Sequence, residues 1–423
     1  MKFLYSDAMD FIDPNYDFAG DRSRATHRTY DDDEYPHEHL TPAPYDGILI
    51  SRAIVGSHRK RGKYTPAQAM RLSREGARAF LRYPRSRYPR SMVMGDCGAF
   101  SYAKEHVPPY SVDETLEFYE DGGFTHGCSV DHVIFDFVQA KRSPNADVRA
   151  RYEITIENAR AFLRGAKYMR GFTPLGVIQG WSPWSMADAG RQLSRMGYDY
   201  LAVGGLVPLK TPQIAQALDA IRAAIPSKVK LHVLGFGKIA DIAVLHEHSV
   251  ASFDTTSPLK RAFTDAKKNY YMRGNDGNVD YYTAIRIPQA VENDRLLRSA
   301  KRGVINQECL LKYEQYALAA VRDFARGYRS AESAVDAVME YEEYGGWSRQ
   351  TKSSRTEHRP DRQRESYIRT LLSQAWTRCE CRVCRELGVE VIIFRSSNRN
   401  KRRGMHNLHV FHTSLRARFA GST

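Results

Sequence analysis

An α/β fold, a (β/α)8 barrel with a mostly helical insertion and a C-terminal zinc-binding subdomain, is what this sequence predicts. Three observations predict it. Short apolar runs alternate with helical segments over residues 1–260, and six of those runs end on a polar residue or a glycine in the same register. Near the C-terminus, Cys379-x-Cys381-x-x-Cys384 and a later His406 supply four metal ligands. Strand–helix alternation implies parallel pairing through right-handed crossovers, and eight such strands close a barrel, with an open doubly wound sheet as the alternative.

The strand candidates are 2–5, 47–51, 92–95, 132–135, 175–178, 200–203, 231–234 and 251–253. Helical periodicity falls between most of them, at 66–81, 148–168, 185–196, 211–225 and 239–247. Residues 17–45, rich in charge, Pro and Tyr, read as a long irregular loop after the first strand. The alternation stops after residue 260. A Gly-Asn-Asp-Gly-Asn turn at 274–278, helical patterns at 307–328 and 330–344, and a charged, serine-bearing stretch at 348–364 suggest an insertion over 261–375, followed by a zinc module over 376–423. The run Val389 to Phe394 has strand character, and His406 is expected to open a closing helix.

The residues at the strand ends carry the chemistry. Asp96, Asp136, Gln179, Gly204-Gly205, Gly235 and Asp254 each follow an apolar run, and the C-terminal ends of barrel strands are where such folds hold their active sites. Two carboxylates suit a double displacement at an anomeric carbon, one as nucleophile and one moving the proton of the leaving base. Asp254 and Asp96 are the candidates. Asp136 with Gln179 offers acceptors and donors for a purine-like edge, glycines 204 and 205 permit close approach of a flat ligand, and Phe100 and His232 are candidates to sandwich its ring. Cys97 reads as a small packing residue and Trp181 and Trp184 as rim or core aromatics.

Cysteines this close cannot readily pair with one another as disulfides, and three soft ligands plus an imidazole make a closed tetrahedral zinc site with a structural role. His406 ranks first as fourth ligand and His409 second. The net charge of +14 and pI near 9.4 favour a polyanionic partner. Fourteen Lys or Arg against six Asp or Glu over residues 352–403 locate that expectation around the zinc cluster, with Arg399, Lys401 and Arg402 as phosphate contacts. No apolar segment of signal-peptide or membrane-spanning length occurs, which suggests a cytoplasmic protein.

These motifs resemble the tRNA-guanine transglycosylase superfamily. Asp96-Cys-Gly-Ala-Phe100 is similar to its Asp-Ser-Gly-Gly-Phe/Tyr box, Gly176-Val-Ile-Gln179-Gly180 to Gly-Ile-Val-Gln-Gly, and Val203-Gly-Gly-Leu206 to Ile/Val-Gly-Gly-Leu. Leu234-Gly-Phe-Gly237 and Phe253-Asp-Thr-Thr-Ser-Pro258 resemble two further boxes, and the cysteine-histidine pattern resembles its zinc module. The resemblance implies Asp254 as nucleophile, Asp96 as general acid/base, Asp136, Gln179 and Gly205 as base-binding residues, Phe100 as a stacking face, and a dimer packed around the zinc module.

The departures point to one branch. The chain continues Pro258-Leu-Lys-Arg where tRNA enzymes have Pro-Thr-Arg, and Gly-Gly-Leu206-Val-Pro-Leu-Lys210 lacks the carboxylate that accommodates an aminomethyl group. A neutral nitrile substituent fits better. Residues 254 to 379 also span far more chain than in the tRNA enzymes. The resemblance is closest to the bacterial and phage branch that replaces guanine in DNA with the 7-deazaguanine preQ0. The same exchange on tRNA, and a noncatalytic nucleic-acid-binding subunit, are the alternatives. The expected partners are guanine-containing DNA, the free 7-deazaguanine base and a partner ATPase that opens the duplex, since no phosphate-binding Gly-x-x-x-x-Gly-Lys-Ser/Thr loop is present.

Overall fold

Eight parallel strands close on themselves in the computed structural model, which describes residues 1–56, 61–138, 143–274, 277–346 and 359–419. They are β1 (Lys2–Ser6), β2 (Gly47–Ser51), β3 (Met92–Asp96), β4 (His126–Cys128), β5 (Thr173–Ile178), β6 (Tyr200–Val203), β7 (Lys230–Val233) and β8 (Ser252–Thr255). Pairing of β1 with β8, in the register Leu4 to Asp254, completes the barrel. Helices Ala146–Ala166, Pro183–Met196 and Thr211–Ala224 connect successive strands. Their starts follow local chemistry: Asn145 and Ser182 cap the first two, and prolines sit in the first turns of the second and third.

Seven strands lie within a residue or two of their expected positions. The fourth does not. Residues 132–135 are buried or exposed without strand pairing, and the barrel strand is the short run His126–Cys128. Val133 packs with Cys97, Ala99, Tyr102 and Tyr110, and Ile134 is buried, so their hydrophobicity reflects packing away from any strand pairing.

Period-two alternation fills the barrel and then arms it. Leu4, Leu49, Met92, Met94, Cys128, Leu175, Val177, Tyr200 and Ala202 form a single buried cluster. Two residues beyond members of this cluster come Ser6, Ser51, Asp96, Gln179 and Gly204, and Asp254 lies two beyond the inward Ser252 of β8. The polar layer therefore rests on an apolar plug at the C-terminal mouth.

Residues 1–9 and 45–257 make one compact unit, and residues 10–44 and 258–423 make another. In the second unit, β9 (Tyr270–Arg273) and β10 (Val279–Tyr282) form an antiparallel hairpin, and the centre of the turn expected at 274–278 lies outside the described residues. Helices Gln307–Ala325, Ala331–Tyr344, Arg359–Ser373 and Ser397–Arg418 follow. Most of the charged stretch at 348–364 also lies outside the described residues. Ile12 and Leu40 share one core with Ile285, Leu310, Val338, Leu371, Cys384, Val391 and Met405. Residues 17–45 are thus less irregular than expected: they carry a short helix, Pro36–His39, and Ile12 bridges Glu34.

Two further expectations change. Residues 388–392 form a 3-10 turn, leaving only β12 (Ile393–Phe394) to pair with β11 (Ile285–Arg286). His406 sits in the middle of helix Ser397–Arg418 rather than opening it.

That helix also corrects the reading of the basic stretch. Arg399, Arg402 and Arg403 are at most 1% exposed. Arg399 donates to Asp21 at 2.8 Å and pairs with Glu390, while Arg395 pairs with Asp21 and with Glu314. Arg402 donates to the carbonyls of Asp13 and Pro14, and Arg403 to those of Val391, Ile393 and Ala262. Lys401 reaches the Phe11 carbonyl at 3.2 Å and lies over its ring. Burial would push the Asp21 carboxyl up, yet Arg399 and Arg395 outweigh it and hold it below its usual value. These cations are structural ties, not a phosphate-facing surface. No helix among the described residues is long and apolar enough to cross a membrane.

Arg399→Leu should therefore destabilise the second unit by about 3 kcal/mol, because it strips one partner from the buried Asp21 and from the half-buried Glu390. Chemical denaturation of the purified variant measures this, and an unchanged midpoint would show the pair to be dispensable.

Candidate functional site

The barrel mouth holds three carboxylates, each with a different set of partners. Asp254 ends β8 and is 5% exposed. Its Oδ2 accepts from the Ser6 hydroxyl at 2.6 Å, and its Oδ1 accepts from the Gly235 N–H at 2.9 Å and lies 3.2 Å from His232 Nε2. Asp131, which sequence reasoning missed, is 1% exposed. It accepts from the Cys97 thiol at 2.9 Å and from Gln179 Nε2 at 2.6 Å. Burial raises its proton affinity, and those two donors oppose the rise.

Asp96, at the end of β3, is less well supplied. The Gly98 N–H donates to it at 3.0 Å. Burial, then the like charges of Asp131 and Asp254, push its pKa up to about 7, against the lowering effect of Gly98 and the Ser51 hydroxyl. Asp96, Cys97 and Asp131 present their polar atoms within 4.8 Å of one another. Near neutral pH, Asp96 is therefore poised between its acid and its carboxylate form.

Gln179 is clamped at both ends. Its Nε2 donates to Asp131, and its Oε1 accepts from the Ile134 N–H at 3.2 Å. Gly204 makes this possible, since a Cβ there would lie 2.3 Å from Gln179 Nε2. Gly205 adopts φ +73°, and a Cβ would lie 2.9 Å from the Ile134 carbonyl oxygen. Asp136, expected beside Gln179, is exposed two residues beyond Ile134, and the carboxylate bonded to Gln179 is Asp131. Phe100 is 54% exposed and pairs with Phe135, itself 44% exposed, at 5.2 Å between ring centroids. His232 is fully buried with both ring nitrogens engaged, Nδ1 by Ser252 at 2.6 Å and Nε2 by Asp254, so it presents no ring face at the mouth. Cys97 packs as expected but also donates to Asp131. Trp181 packs edge-on against Tyr152, and Trp184 is exposed.

Signals for the missed residues existed in the strand register. Ser6 lies two residues beyond the inward Leu4, and Ser252 two before Asp254. Asp131 was hidden by the misplaced fourth strand.

A second cluster lies in the other unit. Cys379, Cys381, Cys384 and His406 bring their ligand atoms within 4.8 Å of one another. The three Sγ atoms lie 3.6, 3.4 and 3.2 Å from His406 Nδ1. Metal–sulfur and metal–nitrogen bonds of ordinary length give tetrahedral edges of about 3.6 Å, so the donor set fits one ion. His406 Nε2 donates to the Tyr271 carbonyl at 2.7 Å, which turns the Nδ1 lone pair toward the thiols, and Tyr270 stacks on the ring at 4.7 Å. His409 is not part of the group.

No protein-family model matches the chain. It is 39% identical over 422 residues to a DNA-guanine transglycosylase of Salmonella montevideo, an alignment covering 98% of this chain and 96% of that protein.

Two outcomes follow from these sites. Cys381→Ser should release bound metal and unfold the second unit at lower temperature, read by metal analysis and by calorimetry on the same sample; retention of stoichiometric metal would refute the assignment. A carboxyl raised to about 7 binds more protons folded than unfolded, so the fold loses stability as pH rises between roughly 4 and 7. Asp96→Asn removes that loss, and the Tm difference between variant and parent should grow from pH 5 to pH 8.

Proposed function

The chain belongs to the DNA-guanine transglycosylases, enzymes of the glycosyltransferase class, and we propose that it exchanges guanine in DNA for the 7-deazaguanine preQ0 through a covalent aspartyl–sugar intermediate. The observation that carries the reading is the division of labour between two carboxyls at one barrel mouth. Asp254 is held by fixed donors, and Asp96 is poised to give or take a proton near neutral pH.

An oxygen of Asp254 forms a bond to C1′ as the C1′–N bond breaks. The bonding electron pair passes to guanine, which takes the proton of Asp96. The incoming base then surrenders its N–H proton to Asp96, attacks C1′ and releases Asp254 as a carboxylate. One acid/base group serves both halves, which requires a pKa near the working pH. The exposed Phe100–Phe135 pair offers a stacking face, and the exposed carboxylate of Asp136 is an acceptor for the donor edge of guanine, with Gly205 allowing close approach. The exposed Val207 and the absence of a carboxylate over 206–210 favour a neutral 7-substituent such as the nitrile of preQ0.

Zinc fits the three cysteines and His406. As a closed four-ligand site it would cross-link the second unit. Opening of the duplex falls to a partner ATPase on this reading, since a stacked guanine must leave the helix before C1′ is attacked.

Trapping under denaturing conditions with guanine-containing DNA should give a covalent adduct that Asp254→Asn abolishes. Asp96→Asn should lower exchange at least a hundredfold while retaining free-base binding. Nucleoside analysis of DNA and tRNA from cells with and without the protein names the polymer, and a 7-deazaguanine gained by tRNA alone would overturn the DNA assignment.

A further inference from the structure

The histidine beside the nucleophile has no role in the scheme above, although both its ring nitrogens are engaged. His232 Nε2 lies 3.2 Å from Asp254 Oδ1, Nδ1 lies 2.6 Å from Ser252 Oγ, and Ser252 Oγ lies 2.6 Å from the Tyr200 hydroxyl. His232 and Ser252 are fully buried, and Tyr200 is 6% exposed. The three residues come from β7, β8 and β6 and occupy inward positions of the register.

The protons of this chain can be placed one by one. Asp254 already accepts from Ser6 and Gly235, so as a carboxylate it takes a third donor, and His232 Nε2 carries that hydrogen. Neutral imidazole then offers Nδ1 as an acceptor, which the Ser252 hydroxyl satisfies. Having given its one proton to Nδ1, Ser252 accepts from Tyr200, whose only described partner it is. The reverse order would leave the Tyr200 proton without an acceptor among the described residues. Burial, and then the charge of the nearby Lys2, lower the neighbouring His126 to about 4, so it adds no positive charge at neutral pH.

We infer that Tyr200, Ser252 and His232 form a positioning relay that, with the Gly235 N–H, clasps Asp254 Oδ1 and leaves Oδ2 as the oxygen that bonds C1′. Two N–H donors converge on Oδ1, whereas among the described residues Oδ2 has only the rotatable Ser6 hydroxyl. In the covalent ester, Oδ1 is the carbonyl oxygen and keeps both donors. When the incoming base displaces Asp254, the electron pair of the C1′–Oδ2 bond returns to the carboxylate, whose charge the same clasp receives. Asp96 remains the proton carrier, and His232 neither gains nor loses a proton. Ring stacking at the mouth is left to Phe100 and Phe135.

This inference rests on Asp254 as nucleophile, and the test separates the two. The rate of covalent adduct formation with guanine-containing DNA is measured for the full chain alongside free-base affinity and circular dichroism. His232→Phe should slow adduct formation roughly a hundredfold with free-base affinity unchanged, as expected for loss of one aimed donor. His232→Gln, which restores an N–H at similar reach, should recover most of the rate. Ser252→Ala should fall between them, because Nδ1 loses the donor that fixes the tautomer. Wild-type adduct formation by folded His232→Phe, or no recovery by His232→Gln, would overturn the relay. Adduct formation by Asp254→Asn would instead sink the nucleophile assignment itself.

Discussion

Mutual repulsion among carboxylates in one desolvated mouth is the constraint that orders this barrel. Each of the three is accommodated by its own donor set. Asp254 takes a hydroxyl, a backbone N–H and an imidazole N–H, whereas Asp131 takes a thiol and an amide. Asp96 has a backbone N–H and a hydroxyl against the three donors of Asp254, and burial with its two carboxylate neighbours raises its pKa to about 7. On the proposed reading, acid and nucleophile are thus set apart by hydrogen-bond supply rather than by residue type, and each supply is delivered by neighbouring strands whose register places an inward side chain every second residue.

The second unit solves a related problem with opposite sign. Four arginines of its last helix and the residues just before it, Arg395, Arg399, Arg402 and Arg403, are withdrawn from solvent and spent on carbonyls and on Asp21, Glu314 and Glu390. Guanidinium suits this work because its planar donors can satisfy several acceptors at once. The same helix carries His406 to the thiols and Asn407 to the backbone of Tyr271, Pro258 and Asn269. The cysteine-histidine cluster and the hairpin are therefore tied to one helix. Net charge is a poor guide to where a binding surface lies when cations of the most basic stretch, Arg399, Arg402 and Arg403, are interior.

Much of this was legible in the sequence, and the failures share a cause. The barrel could be read because parallel strands between helices leave repeated apolar runs, and the gathering of three cysteines with His406 because cysteine spacing is local. The fourth strand could not, since His126-Gly-Cys128 is three residues long and lacks β-branched side chains, while the nearby Val133-Ile134 is buried without being a strand. That error carried attention to Asp136 and away from Asp131. Arg399 and Arg402 read as surface charge because their partners Asp21, Asp13 and Pro14 are nearly four hundred residues distant, and no local pattern reports such a pairing. His232 looked like a stacking face only because its burial depends on strand register in three dimensions.

The exposed aromatics connect binding to proton placement. Phe100 and Phe135 leave about half of each ring in water at the mouth of the same barrel that holds Asp96. Covering them with a flat base would remove apolar surface from solvent and expel water from above the carboxylates. Desolvation is already the largest cause of the raised proton affinity of Asp96. Filling the mouth therefore strengthens the hold of Asp96 on its proton at the moment a leaving base needs one, while Asp254 keeps donors that do not depend on water. On the proposed reading, base binding itself loads the acid, and a mouth lined only with polar side chains would lack that coupling.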